Sequence, residues 1–215
     1  MKYVLISAQT SQFDIDLARK FAAEGYGVYT LGESPVDGVT SLSADLARAV
    51  EQLGDAAIDY LADVTDNRDA EDSFTFRDGI RADVIQRVYR ANTLRSMAIL
   101  EAFLPALDRA QTKRLFYLTS SDASVNESRA ISGFGYNMSR AAMSQFIQMI
   151  RNKLTPLGYT YRIFDPMHGA YSPEVTASSA FSYITRRRGT ENFDPRRDDE
   201  DNLVYRDAEG RQHAW

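Results

Sequence analysis

The feature that most constrains this chain is a regular alternation of short apolar runs with longer amphipathic stretches. Tyr3–Ser7 reads as a buried strand, and Ile15–Glu24 follows with Ile15, Leu17, Ala18, Phe21 and Ala22 at helical spacing. Val28–Leu31 is a second strand and Val39–Leu42 a short third one. Ala44–Leu53 is helical and stops at Gly54, and Ala57–Ala62 is strand. A long helical pattern covers Ile80–Leu107; Leu115–Thr119 is strand, Gly135–Lys153 helix, Tyr159–Phe164 strand and Val175–Ile184 helix. Leu203–Tyr205 is a last strand, with a turn at Gly210. Such alternation predicts one α/β domain over residues 1–215: a doubly wound parallel sheet of about six to seven strands with helices on both faces.

Composition narrows the chemistry. The chain has no cysteine, which removes disulfides, thiolate catalysis and cysteine-bound zinc together. Its two histidines, His168 and His213, lie far apart, so no histidine metal cluster is expected. A formal charge of −5 argues against a nucleic-acid partner. No apolar run approaches the roughly 18 residues that span a bilayer, and Met1-Lys2-Tyr3 leads directly into a strand, so a cytoplasmic protein is expected. The charged stretch from Arg186 to Asp201 reads as a solvated loop with local pairing or as a partner-binding segment. His168 is a surface-loop residue or a substrate contact, and His213 packs with the tail beside Trp215.

Six local motifs occur in order along the chain. They are Leu17–Tyr26 (LARKFAAEGY), Arg90-Ala91-Asn92-Thr93, Leu118-Thr119-Ser120-Ser121, Tyr136–Ala142 (YNMSRAA), Asp165-Pro166, and Leu203-Val204-Tyr205 followed by Gly210 and Trp215. Together they resemble the short-chain dehydrogenase/reductase (SDR) superfamily over essentially the whole chain. The resemblance implies a Rossmann-like sheet. It also implies catalytic positions at Tyr136 (proton donor), Ser121 (carbonyl polariser), Asn92 (relay) and Arg140, where the family has lysine. Residues four apart share a helix face, so the Tyr136 hydroxyl should face Ser121 with Arg140 in reach, and the guanidinium should lower the tyrosine pKa.

The cofactor loop departs from the family pattern TGxxxGxG. It reads Ser7-Ala8-Gln9-Thr10-Ser11-Gln12-Phe13-Asp14, with Ala8, Gln12 and Asp14 in the glycine positions. Gln12 should put a side chain in the pyrophosphate path, and Asp14 a carboxylate at the helix N-terminus, where anions bind. A contact between like charges at about 4 Å costs about 4 kcal/mol at an effective dielectric of about 20. Gly32-Glu33 stands where the ribose discriminator belongs, Asp63-Val64-Thr65-Asp66 where the family has NNAG, and Pro166-Met167 in place of Pro-Gly.

Three functions are therefore open. The first is a non-redox protein without NAD(P), binding a small molecule or acting as a partner subunit. The second is an oxidoreductase on a carbonyl or alcohol, using NAD or NADP with Ser121, Tyr136 and Arg140. The third is a cofactor-independent isomerase or lyase using Tyr136. The apolar helices at 80–107 and 135–153, with Met97, Met138 and Met149, predict a homo-oligomer or a hetero-oligomer with an active SDR relative.

Overall fold

The computed structural model describes residues 1–8, 10–186 and 199–214. Its strands are β1 (Tyr3–Ile6), β2 (Gly27–Leu31), β3 (Thr40–Leu42), β4 (Tyr60–Asp63), β5 (Arg114–Leu118), β6 (Thr160–Asp165), β7 (Tyr205–Asp207) and β8 (Gln212–His213). Its helices are α1 (Gln12–Ala23), α2 (Leu46–Leu53), α3 (Ala82–Tyr89), α4 (Arg95–Asp108), α5 (Phe134–Leu154) and α6 (Pro173–Thr185). The strands form one eight-stranded sheet in the order β3-β2-β1-β4-β5-β6-β7-β8, parallel except where β8 turns back along β7. Strand order reverses between β1 and β4, and ligand crevices of open α/β sheets lie at the carboxyl ends of such strands.

Burial on both faces explains why the strands read as continuous apolar runs. Leu5, Leu61, Leu115 and Ile163 enter one core with Ile99 and Phe103 of α4 and Met143 and Ile147 of α5. Val4, Ile6, Phe116 and Phe164 enter the other with Leu17 and Phe21 of α1 and Ala180 and Ile184 of α6. Each large side chain so buried contributes about 1.5–3 kcal/mol. No helix among the described residues is long and apolar enough to cross a membrane.

The expected long helix is two helices joined by a π-helical turn, Arg90–Leu94. Asn92 is fully buried in that turn. Its carboxamide accepts from the Asn67 amide (2.8 Å) and donates to Asn67 O (3.0 Å) and Ser139 Oγ (3.1 Å), tying the loop after β4 to α5. Asn92 thus holds backbone at the π-helical turn.

Two other expectations shift. The strand expected at Leu203–Tyr205 is β7, which begins at Tyr205 and contains the buried Arg206 and Asp207, so its apolar signal is short, and a further strand, β8, follows it. Within the charged stretch, residues 187–198 and Trp215 lie outside the described residues. The part that is described is no solvated loop. The Glu200 carboxylate accepts two bonds from Arg114 Nη2 (2.7 and 2.6 Å) and one from Arg162 Nη2 (3.0 Å). Asp199, also buried, takes a bidentate pair from Arg206 (2.6 and 2.8 Å) and the Tyr183 hydroxyl (2.9 Å). Burial and the neighbouring Arg162 charge pull Arg114 down to about 10, against the opposing pull of Glu200.

Candidate functional site

At the head of α1, Ser11 caps the helix and Asp14 completes a capping box. The Asp14 Oδ2 accepts the amides of Thr10 (3.0 Å) and Ser11 (2.9 Å), and the carboxylate is almost wholly buried. Burial raises its pKa, against the lowering effect of the Ser11 and Thr10 bonds. Asp14 therefore occupies the loop's own donors, as the sequence suggests. Gln12 is exposed, and its amide donates to Asp16 Oδ1 one turn along the helix (2.9 Å), an ordinary i, i+4 pairing. Ala8 is half-buried against the α1 side of the core. Asp63 Oδ1 takes the Ser7 hydroxyl (2.9 Å) and the Thr65 amide (3.1 Å), fastening the ends of β1 and β4 together.

The second half of the site is built from α5 and the loops after β4, β5 and β6. Asp72 sets the start of α5 by accepting the amides of Gly135 (2.9 Å) and Tyr136 (2.7 Å). Glycine at 135 suits this close approach, since a Cβ would lie 3.1 Å from the Ile85 Cα of α3. One turn on, Arg140 is 2% exposed, donating to Thr65 O and to Asp66 Oδ1, both at 2.6 Å.

The Tyr136 hydroxyl is hydrogen-bonded to Asp66 and Arg68 rather than to Ser121. It donates to Asp66 Oδ1 (2.8 Å) and accepts from Arg68 Nη2 (2.8 Å), whose guanidinium also stacks 4.0 Å over the ring. His168 Nε2 reaches Asp66 Oδ2 at 2.8 Å. The expected drop in the tyrosine pKa is reversed. Burial pushes Tyr136 up to about 12, with Asp66 adding to it, and the Arg140 charge only partly offsets them. Burial also pushes Asp66 upward, but the His168 bond, the Arg140 charge, the Tyr136 bond and the Arg68 charge outweigh it, leaving its carboxyl well below the usual range. These contacts stabilise the fold above about pH 4 and that stability is lost as pH falls toward the lowered value.

Among the twelve tyrosines, Tyr136 is predicted to ionise near pH 12. Alkaline absorbance titration of wild type minus Tyr136→Phe isolates that step, and Asp66→Asn moves it to lower pH. A difference titration centred below pH 10, the ordinary tyrosine value, contradicts this geometry.

Ser121 is exposed beyond the end of β5, held through its amide by Asp165 Oδ2 (2.8 Å). Asp165 also accepts the Met167 amide (2.7 Å) and the Tyr205 hydroxyl (3.0 Å). Ser121, His168 and Arg68 line a cavity of about 340 Å³, and Arg68 and Asp122 join it to a second of about 420 Å³ that reaches Tyr136. The structure thus brings Tyr136 and Arg140 together, uses Asn92 as a backbone brace and sets Ser121 across the cleft. Sequence reading gave no site role to Asp66, Arg68 or Asp165, and left His168 open. Asp66 was visible only as an acidic residue in the place of NNAG; Arg68 carried no motif at all.

No protein-family model and no curated protein sequence matches the chain. Solved structures do. A carbonyl reductase from Pseudomonas aeruginosa, in complex with NADP, superposes with a TM-score of 0.81 at 17% identity, covering 100% of both chains. The carbonyl reductase Sniffer of D. melanogaster gives 0.80 at 14% identity, again covering 100% of both. With the strand order, the full-length superpositions and the Tyr136–Arg140 helix in place, the chain has the fold of the short-chain dehydrogenase/reductase superfamily.

Proposed function

We propose that this protein is a divergent SDR-fold binding protein or partner subunit that holds a small molecule in the Tyr136 cleft and does not bind NAD(P) in the family manner. The observation carrying this reading is Asp14. Its buried carboxylate takes the Thr10 and Ser11 amides at the helix N-terminus, where a pyrophosphate would need both the donors and the positive end of the helix dipole. These residues do not fit a dinucleotide. The Asp66 cluster adds to the non-redox part of this reading, because a tyrosine bonded to a carboxylate and raised to about 12 is a weaker proton donor than one near its ordinary value. Calorimetric titration tests it: NADH and NADPH are expected to bind more weakly than about 100 µM, and micromolar binding of either overturns the reading.

One observation favours a second reading, an NAD(P)-dependent oxidoreductase acting on a carbonyl or alcohol. The fold matches, at full length, a carbonyl reductase whose structure holds NADP, and Ser121 lines a cavity that adjoins the one reaching Tyr136. Under that reading NADPH binds at micromolar concentration and Tyr136→Phe abolishes carbonyl reduction while leaving folding intact.

The partner half of the proposal rests on exposed apolar side chains on α4 and α5. Met97 of α4 and Met138 and Met149 of α5 face outward. Light scattering at micromolar concentration is expected to give a dimer or tetramer, alone or with an active relative; a clean monomer contradicts it.

A further inference from the structure

The donors around Asp66 divide between its two oxygens. Oδ1 faces the interior, meeting Arg140 Nη2 (2.6 Å) and the Tyr136 hydroxyl (2.8 Å). Oδ2 faces His168 Nε2 (2.8 Å) and Arg68 Nε (3.6 Å). The inner donors are buried, and Arg140 is also fixed by Thr65 O, so its position does not depend on Asp66 alone. The outer donors are each 48% exposed and border the 340 Å³ cavity, together with Ser120 and Ser121. Within the cluster two guanidinium groups meet one carboxylate, leaving one positive charge in excess even with a neutral imidazole. Two other carboxylates line the cavity. Asp165 already accepts from Met167, Ser121 and Tyr205, and Asp122 is exposed, where water and salt screen it.

We propose that this constellation is a carboxylate-binding site with Asp66 as its internal occupant, and that a small carboxylate ligand entering the cavity takes Arg68 and His168 from Oδ2 while Oδ1 stays on Arg140 and Tyr136. The exchange replaces one anion by another at Arg68, so no cation is left bare, and the planar guanidinium suits a carboxylate. The Ser120 and Ser121 side of the cavity receives the rest of the molecule. This inference deepens the ligand-binding reading and rests on it in needing the cleft free of dinucleotide; a failed acetate titration leaves the NADPH result untouched, and the reverse holds.

Selective labelling of the two histidines gives a reporter at the site and an internal control, because His213 sits apart, against Asp207 and Glu127. Sodium acetate is titrated into the intact protein at fixed pH and compared with sodium chloride at matched ionic strength, with imidazole resonances recorded by NMR. The expected result is a saturable acetate-specific shift at His168 alone. Arg68→Gln should weaken it at least roughly tenfold, the loss of one charge-assisted hydrogen bond. Asp66→Asn, which removes the internal competitor's charge, should strengthen it by a similar factor. Equal effects of acetate and chloride, or an unchanged acetate response in Arg68→Gln, overturn the proposal. The comparison of wild type with Arg68→Gln decides the matter alone if Asp66→Asn does not fold.

Discussion

Glu200→Ala is expected to destabilise the protein by about 3–5 kcal/mol, the cost of leaving buried charge without its partner. Arg114 and Arg162 are 1% and 2% exposed, and Glu200 bonds both. Among the described residues, their other hydrogen bonds go to uncharged oxygens such as Thr160 Oγ1, Ile184 O, Tyr183 O and Asp199 O. For a chain of this size the loss corresponds to a melting temperature lower by roughly 10 °C or more. Glu24→Ala is the matched control. Its pair with Lys20 is solvent-exposed on both sides and is expected to matter by less than about 1 kcal/mol. Thermal and urea unfolding followed by circular dichroism compares the two. Equal melting of the Glu200 and Glu24 variants contradicts the view that residues 199–201 are locked into the body of the fold.

That cluster also shows where sequence reading ends. Apolar runs such as Tyr3–Ser7 and Leu115–Thr119 gave their strands because burial on both sheet faces leaves a direct hydrophobic record. The order of the elements was legible for the same reason, as a succession of local patterns. Glu200 and Asp199 were not. Their burial depends on Arg114, Arg162 and Arg206, which reach them only through tertiary contacts, so a charge run looks solvated until the partners are seen. The candidate site divides the same way. Asp14 was legible because a capping box is local. The tyrosine environment was misjudged because the helix rule places Arg140 near Tyr136 but says nothing of Asp66, seventy positions away, which captures both.

Asp14→Gly is expected to have the largest effect on ligand binding. It frees the Thr10 and Ser11 amides and removes a carboxylate from the positive end of α1. The like-charge cost of about 4 kcal/mol, at an effective dielectric of about 20, sets the upper bound of the gain at roughly a thousandfold in affinity for a dinucleotide. A gain of at least roughly a hundredfold in calorimetric NADPH titration is expected of the variant over wild type. Stability moves the other way, by about 1–2 kcal/mol, through the lost capping box and a glycine in the first helical turn. Equal affinities for both proteins would place the determinant of cofactor binding outside this loop.

Asp14 Oδ2 accepts the amides of Thr10 and Ser11, and these amides report directly on whether a dinucleotide displaces it. In a nitrogen-15 NMR titration of the wild-type protein, these two resonances are predicted to stay in place at about 10 µM NADPH, and to move in Asp14→Gly at that same concentration. Saturable movement of the Thr10 and Ser11 amides of the wild type at micromolar NADPH would contradict the account.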